Sequence, residues 1–426
     1  ENVALPPSTP VQNIGQGAQP QSETAYQPPV EPSAQSGKVQ KKQIKKEKQL
    51  TPIEGLASIV PRRSTLPILT GFNVKNGVAS ATDMTSYFET KIDLPDGHYK
   101  MVGKNVEKSG LDAEQFPVSP KIGNKIGTVD RSDLIRNFDR VEKASSNDAS
   151  RYVLQSVNLK AENGKAYLTA TDGRRLSTSP LDSAKLPDGT YNIPANLGVG
   201  KSLKALSGDT LDISVINGSD GTPEAISFTS PNGRVVSRLM EGRYPNFNQV
   251  IPEPTEQIVF PKAVLENALK ELKPYTKGDK LDTVIVNRDG DNISLRVINP
   301  ENKLDKTISV KGKTIGGNFA KIKAGSIIMP MQMNERLAKL GIELGPGHLG
   351  RFQLGYLQDA VSSVSGNEVY LGRLDDPLKP IVVRGKPLEE KDITGGNSVV
   401  KAQNDMNEEF RKERVWKEIA KANEEE

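Results

Sequence analysis

The chain has no cysteine, which removes disulfides, thiolate nucleophiles and every cysteine-containing zinc site at once. Histidine is almost as scarce: His98 follows Asp96-Gly97 and His348 follows Gly345-Pro346-Gly347, both of them turn contexts. A Ser-His-Asp triad, an imidazole acid/base pair or a common zinc site would have to rest on one of these two residues, and neither lies in such a motif. There is no run of eighteen apolar residues, so no helical membrane span is expected. No Walker loop or dinucleotide-binding glycine pattern occurs, and Gly325 and Gly345-Pro346-Gly347 read as isolated turns. The start, Glu1-Asn2-Val3, lacks the basic region and apolar core of a secretory signal, and without Met it reads as a trimmed or partial chain. Catalytic, metal and cofactor sites are therefore expected to be absent. The one metal-dependent reading left open would use Asp83, Asp172 and Asp359, which sit in turns without a second carboxylate at ligand spacing.

What is present is long and unevenly composed. A length of 426 residues suits two to four domains, while 35% hydrophobic residues and a mean hydropathy of -0.51 suggest that part of the length is not packed. Residues 1–37 are dominated by Pro, Gln, Ser and Gly and should be disordered. Lys38 to Lys48 then carries six lysines around one glutamate, either a solvated linker or an arm that attracts phosphates. The net charge of +4 permits a nucleic-acid partner without demanding one. From Leu50 the pattern changes: Leu50, Ile53, Leu56, Ala57 and Val60 fit a short amphipathic helix that starts at Thr51-Pro52.

The chain also repeats itself. Gly71 to Asp83 matches Ser156 to Asp172, and both continue after a similar interval into Leu-Pro-Asp-Gly-x-Tyr, at Leu94–Tyr99 and Leu186–Tyr191. Two matched blocks at a matched offset imply one structural unit present twice. Each unit opens as strand, Asn-Gly turn, strand, which is a β-hairpin. A third, more diverged copy is expected from residue 257, with Ser326-Ile327-Ile328-Met329-Pro330 standing where Tyr191-Asn192-Ile193-Pro194 stands in the second. Helices are expected at Arg131–Ser145, with Leu134, Ile135, Phe138 and Val141 on one face, and at Pro261–Tyr275, with Val264, Leu265, Ala268, Leu269 and Leu272. After Arg384 the strand pattern stops; Met406–Ala422 reads as a charged helix carrying Phe410 and Trp416, either solvated or partner-binding.

Four blocks carry a family resemblance: Ser64-Thr65-Leu66-Pro67-Ile68-Leu69, Arg151-Tyr152-Val153-Leu154, Thr169-Ala170-Thr171-Asp172-Gly173-Arg174-Arg175-Leu176-Ser177, and Glu241 to Pro252. In this order and spacing they resemble the bacterial DNA sliding clamp, the beta subunit of the replicative polymerase, over about residues 50–384. The resemblance implies an α+β fold of three repeated clamp-type domains, each with two helices and antiparallel sheet. The boundaries would be a 1–49 tail, 50–128, 129–253, 254–384, and a 385–426 linker and helix. It implies a non-catalytic, cytoplasmic processivity factor that closes as a homodimeric ring on duplex DNA without reading sequence. DNA polymerase and clamp-loader subunits would dock on it through a Gln-Leu-type peptide.

Two sets of site residues follow from that resemblance. The peptide pocket would comprise Leu154, Thr171, Gly173, Arg174, Arg175, Leu176, Pro245, Val250, Ser363, Val382 and Val383, with leucines, proline and valines as an apolar floor. The DNA face would carry Arg63, Arg131, Arg136, Arg140, Lys201, Lys204, Lys270, Lys273 and Arg336, spread over helix faces that an ordinary solvated surface would also explain. Gln49-Leu50-Thr51-Pro52-Ile53 is also similar to the peptides that bind clamps. Four departures stand out: Arg174 where the family often has His, Gln249 where a basic residue is common, the extra C-terminal stretch, and a short first unit. Only Lys100–Glu114 separates Tyr99 from Gln115-Phe116-Pro117, a span too small for a helix and several strands. The alternative is therefore an adaptor or mobile-element decoy that keeps the clamp fold without the ring and binds replication proteins.

Overall fold

A computed structural model describes residues 49–385 except 104, 196–197, 253–255, 280–281, 317–324, 332–346, 375 and 377–378. The N-terminal tail with its lysine run, Arg336 and the expected C-terminal helix lie outside the described residues. In chain order a first set comprises α1 (Pro52–Ile59), β1 (Gly71–Lys75), β2 (Val78–Thr82), β3 (Ser86–Lys91), β4 (Gly97–Val102) and β5 (Asn105–Lys108). A second comprises β6 (Asn124–Asp130), α2 (Arg131–Glu142), β7 (Ser156–Glu162), β8 (Lys165–Thr171), β9 (Arg175–Pro180), β10 (Gly189–Pro194), α3 (Val199–Leu203), β11 (Thr210–Asn217), β12 (Pro223–Ser230) and β13 (Gly233–Arg238). A third comprises β14 (Glu256–Pro261), α4 (Lys262–Leu272), β15 (Thr283–Asp289), β16 (Asn292–Asn299), β17 (Leu304–Lys311), β18 (Lys313–Gly316), β19 (Gly325–Ile328), β20 (His348–Gln353), α5 (Leu354–Ser363), β21 (Glu368–Gly372) and β22 (Ile381–Arg384).

The repeat has a physical cause in its turns. β1–β2 and β7–β8 are closed by Asn76-Gly77 and Asn163-Gly164, whose φ angles are 53° and 72°, and 53° and 70°, the left-handed pair that a two-residue hairpin requires. The aspartate of each Leu-Pro-Asp-Gly block then caps the turn: Asp96 Oδ1 accepts from Asn76 N and Asp188 Oδ1 from Asn163 N, both at 2.9 Å. The second sequence block is thus the support of the first, which is why the two recur at a fixed offset.

Helix faces follow the apolar spacing. Leu134, Ile135, Phe138 and Val141 of α2 are all buried, each worth roughly 1.5–3 kcal/mol relative to exposure. α4 buries Leu265, Ala268, Leu269 and Leu272, but Val264 remains 47% exposed. α1 starts with a capping box in which Thr51 Oγ1 accepts from Glu54 N and Glu54 Oε2 from Thr51 N. It buries Gly55, Leu56 and Ile59, while Ala57 faces solvent. Leu50 N donates to Lys204 O at 3.1 Å and Leu50 packs on the core. Gln49 to Ile53 is therefore a helix start, and its likeness to a docking peptide has no free strand behind it.

Three sheets knit the sets together. One has the order β5-β4-β1-β2-β3-β13-β12-β11-β6, the next β10-β7-β8-β9-β19-β22-β21-β14-β18, and a four-stranded sheet has β17-β16-β15-β20. The first sheet joins β3 to β13 and the second joins β9 to β19, so each junction between sets is made by backbone hydrogen bonds. The first set ends after β5, and among the described residues nothing in it corresponds to α3 or to β11–β13. The shortening expected from the sequence is thus seen as a half-set.

The strand order also corrects one expectation. By sheet position β19 corresponds to β13, since Ile327 pairs with Leu176 as Val236 pairs with Tyr87. The counterpart of β10 is β20, which pairs with β15 as β10 pairs with β7. Ser326–Pro330 therefore does not occupy the place of Tyr191–Pro194. In the second set the junction strand comes last in the chain, after β12; in the third it comes before β20, ahead of its neighbour β22 and of β21.

Candidate functional site

The junction of β9 with β19 builds one candidate site from a short turn. Asp172 Oδ1 accepts from the backbone N–H groups of Arg174 and Arg175, both at 2.9 Å. Thr171 Oγ1 donates to Arg175 O at 2.6 Å and accepts from Gly173 N at 3.0 Å. Gly173 has φ +87°, and a Cβ there would meet Arg151 Nη1 at 3.0 Å. That guanidinium donates to Asp172 O at 2.7 Å, tying the segment before Leu154 to the turn.

Strand alternation then sends side chains to two faces. Leu176, Ile327 and Val382 form a small cluster with Phe247, Val250 and Ile251 packed on it. Arg175, Ile328 and Val383 point the other way, toward α5 and the core of the third set. The loop that overhangs the cluster is anchored at its base: Asn192 Nδ2 donates to Gly242 O at 2.9 Å, and Val153 lies 3.7 Å from a Cβ placed on Gly242. Tyr244 is buried, which pushes its phenol up, and Pro245 is exposed beside it. The result is an apolar cluster on the sheet face away from the helices, with half-buried Leu154 and Arg174 in the adjoining segments.

Arg175 crosses to the helix side. Its Nη1 lies 2.8 Å from Asp359 Oδ2, Nε lies 3.2 Å from Asp172 Oδ2, Nη2 donates to Lys143 O, and the guanidinium stacks 4.2 Å over the Tyr356 ring. Burial pushes the Tyr356 phenol up to about 12, with nearby Asp172 acting in the same direction. Asp172 and Asp359 are thus held by arginine, and Asp83 accepts from the backbone of Thr85 and Ser86. Among the described residues no cluster of three metal-ligating side chains exists.

On that helix side lies a groove of about 500 Å³ lined by Arg136, Asp139, Arg140, Glu142 and Lys143 of α2, by Lys204, and by Ser362–Ser365. Its cations are drawn to nearby carboxylates: Arg136 to Asp133 at 2.6 Å, Lys204 to Asp139 at 2.5 Å, and Lys143 to Asp359 at 4.0 Å. Lys262 reaches the same end, donating to Ser362 O and Val364 O at 3.1 and 2.6 Å.

Residues 128–246, from β6 through the first part of the overhanging loop, match the family model for the central domain of the DNA polymerase III beta subunit. The chain is 34% identical over 164 residues to the beta sliding clamp of Bacillus subtilis, covering 37% of this chain and 42% of that protein. It is 27% identical over 230 residues to the Caulobacter vibrioides clamp, covering 50% and 59%. The fold of the beta subunit of Thermotoga maritima DNA polymerase III superposes with a TM-score of 0.58 at 17% identity, over 79% of this chain and 92% of that one. The chain is a divergent relative of the bacterial sliding clamps. It spans roughly half the length of the curated clamps that it matches by sequence.

Within this clamp relative the expected pocket residues divide. Thr171, Gly173, Arg174 and Arg175 form the turn, Leu154 and Pro245 lie in the two neighbouring segments, and Leu176, Val250 and Val382 belong to the cluster. Two are elsewhere. Val383 is fully buried in the core of the third set, because alternation along β22 turns it away from Val382. Ser363 ends α5 and lines the basic groove instead. Ile327 takes the central floor position and was missed, since its strand arrives out of chain order; Phe247 and Ile251 were also missed, although both lie in the loop block already singled out.

Of the expected DNA-face residues, Arg136, Arg140 and Lys204 share the groove. Arg131 donates to Gly208 O at 2.9 Å, and Lys273 pairs with Asp282 at 2.8 Å. Arg63, Lys201 and Lys270 are exposed on α1's following segment, α3 and α4. Arg336 and the Gln249 side chain lie outside the described set. No described helix is long and apolar enough to cross a membrane.

Proposed function

We propose that this clamp relative is a non-catalytic processivity factor that holds duplex DNA along its helix-bearing side and docks replication proteins in the notch. The observation that carries this reading is the apolar cluster at the junction, where Leu176, Ile327 and Val382 lie beneath Phe247, Val250 and Ile251 and beside the Thr171–Arg175 turn; the proposed notch opens over that cluster. Leucine and aromatic anchors of a Gln-Leu-x-Leu-Phe peptide suit such a cluster. DNA polymerase and clamp-loader subunits are the partners that would carry it, in the cytoplasm. The three element sets would form three domains close to 50–128, 129–253 and 254–384, with the first boundary moved ahead of Asn124 because β6, Asn124–Asp130, pairs with β11 of the second set.

The cations of the groove, already drawn to carboxylates, suit loose and salt-sensitive contact with phosphates, which carries no sequence information. A ring of two chains would then supply retention by topology. The test is retention on nicked circular plasmid before and after linearisation: a ring stays on the circle and runs off the ends, and equal retention on both forms overturns it.

The half-set at the N-terminal end favours a second reading, an adaptor that keeps the notch without closing a ring. Among the described residues β17 ends its sheet with an exposed edge, and the short first set has no β11–β13 counterpart to meet it in a second copy. Light scattering separates the two: a stable dimer supports the ring, and a monomer at micromolar concentration with the peptide still bound supports the adaptor.

A further inference from the structure

The basic groove on the helix side opens where the described chain leaves β22. Gly385, directly after β22, packs against the end of α5: a Cβ on it would lie 3.2 Å from Ser365 O and 3.5 Å from Val364 Cγ1. Ser365 and Val364 are themselves walls of the groove that holds Arg136, Arg140, Lys143 and Lys204. The residues that follow, Lys386-Pro387-Leu388-Glu389-Glu390-Lys391-Asp392, place three carboxylates within seven positions of that exit. Four or five extended residues reach roughly 15 Å, enough to carry Glu389 and Glu390 from Gly385 into the groove.

We infer that the acidic stretch Glu389–Asp392 docks in the groove between α2 and the end of α5 and competes there with the phosphates of duplex DNA. The inference rests on the reading of this side as the DNA face and adds a regulatory element to it. Three observations choose this occupant over others. The stretch begins at the groove's edge, so its tether gives it a high local concentration that a free partner lacks. Its charge is opposite to that of the lining, where four cations face Asp139 and Glu142. Ser362 and Ser363 add hydroxyls at the same end, and Lys262 adds a fifth cation behind Ser362 and Val364. Carboxylates already answer several of these cations from within the fold, so a further carboxylate uses the chemistry the groove displays.

The absence of native cysteine makes the test clean. In the full chain, Ser362→Cys is combined with Lys391→Cys, which leaves all three carboxylates in place; Glu162→Cys with Lys391→Cys is the control on an exposed hairpin. Docking predicts a disulfide at Ser362/Lys391 forming at least tenfold faster than the control, slowed by salt and by added duplex DNA. In parallel the variant Glu389→Gln, Glu390→Gln, Asp392→Asn should bind a labelled duplex about threefold to tenfold more tightly than wild type at low salt, since phosphates no longer displace a tethered competitor. Cross-linking no faster than the control overturns the inference. Fast cross-linking that duplex DNA does not slow, with both proteins binding DNA equally, overturns the competition. If the disulfide forms fast but neither protein binds duplex DNA, the DNA reading of this face fails and takes the competition with it, while docking of the stretch stands.

Discussion

Arg175 ties the Thr171–Leu176 turn to the helix side, and its removal has a calculable cost. The side chain is 14% exposed and meets Asp359 at 2.8 Å, Asp172 at 3.2 Å, the carbonyl of Lys143, and the Tyr356 ring. Hydrogen bonds to charged groups contribute about 1.5–3 kcal/mol each where water is excluded. Asp359 is 41% exposed, so water recovers much of that partner, whereas Asp172 keeps two backbone donors after the loss. Arg175→Met, which retains the apolar stem, should therefore destabilise by about 2–3 kcal/mol rather than the full sum. Arg175→Lys should recover little, because an ammonium cannot serve three acceptors in the plane of the fork. A double-mutant cycle with Asp359→Asn, read by urea unfolding, should return a coupling of about 0.5–1.5 kcal/mol. A coupling within about 0.3 kcal/mol of zero, the additivity of unconnected sites, would refute the bridge between the turn and α5.

Three further outcomes follow from local geometry. Gly173→Ala should cost about 1–2 kcal/mol from the left-handed backbone alone, and more through the 3.0 Å approach to Arg151 Nη1; a loss under 0.5 kcal/mol in urea unfolding would mean that the turn relaxes freely. Tyr356 is favoured neutral in the fold, with its phenol pushed from the ordinary 10 up to about 12, so the stability it contributes is complete below pH 10 and disappears as pH rises toward 12. Thermal unfolding of wild type and Tyr356→Phe across that window should converge, and parallel curves would contradict the burial argument. Thr51→Ala removes the hydroxyl half of the α1 capping box and leaves the Thr51 backbone N–H on Glu54; it should lower stability by about 0.5–2 kcal/mol, with Thr51→Asp restoring most of it in the same assay.

The parts of this fold that sequence disclosed are those where chemistry is local. The Asn-Gly turns and their Asp caps lie within the repeated blocks, so reading the repeat was reading the hairpins. Helix α2 was legible because its apolar residues recur at helical spacing, and the turn at Thr171–Leu176 because the hydrogen bonds of Thr171 and Asp172 that close it span two to four residues. What stayed hidden depends on strand order. Nothing in Ser326-Ile327-Ile328 says that it pairs with β9 and β22 instead of standing beside β15, since a short apolar strand fits either place equally. Ser363 was assigned to the pocket on the likeness of a few letters, whereas the periodicity of Leu354, Leu357, Ala360 and Val361 makes its segment a helix. Val383 failed for a simpler reason: neighbours on a strand face opposite sides, so Val382 and Val383 cannot both line one notch.

The central claim is that the junction of β9, β19 and β22 takes an apolar peptide. It is tested most directly by anisotropy of a labelled Gln-Leu-x-Leu-Phe peptide titrated with wild type, Leu154→Ala/Leu176→Ala and Ser363→Ala, each shown to be folded by circular dichroism. The account predicts saturable binding to wild type at one peptide per chain, a loss of more than about tenfold, or 1.4 kcal/mol, in the double variant, and unchanged affinity in Ser363→Ala. Affinity retained by a folded double variant, or no saturable binding to wild type, would contradict it.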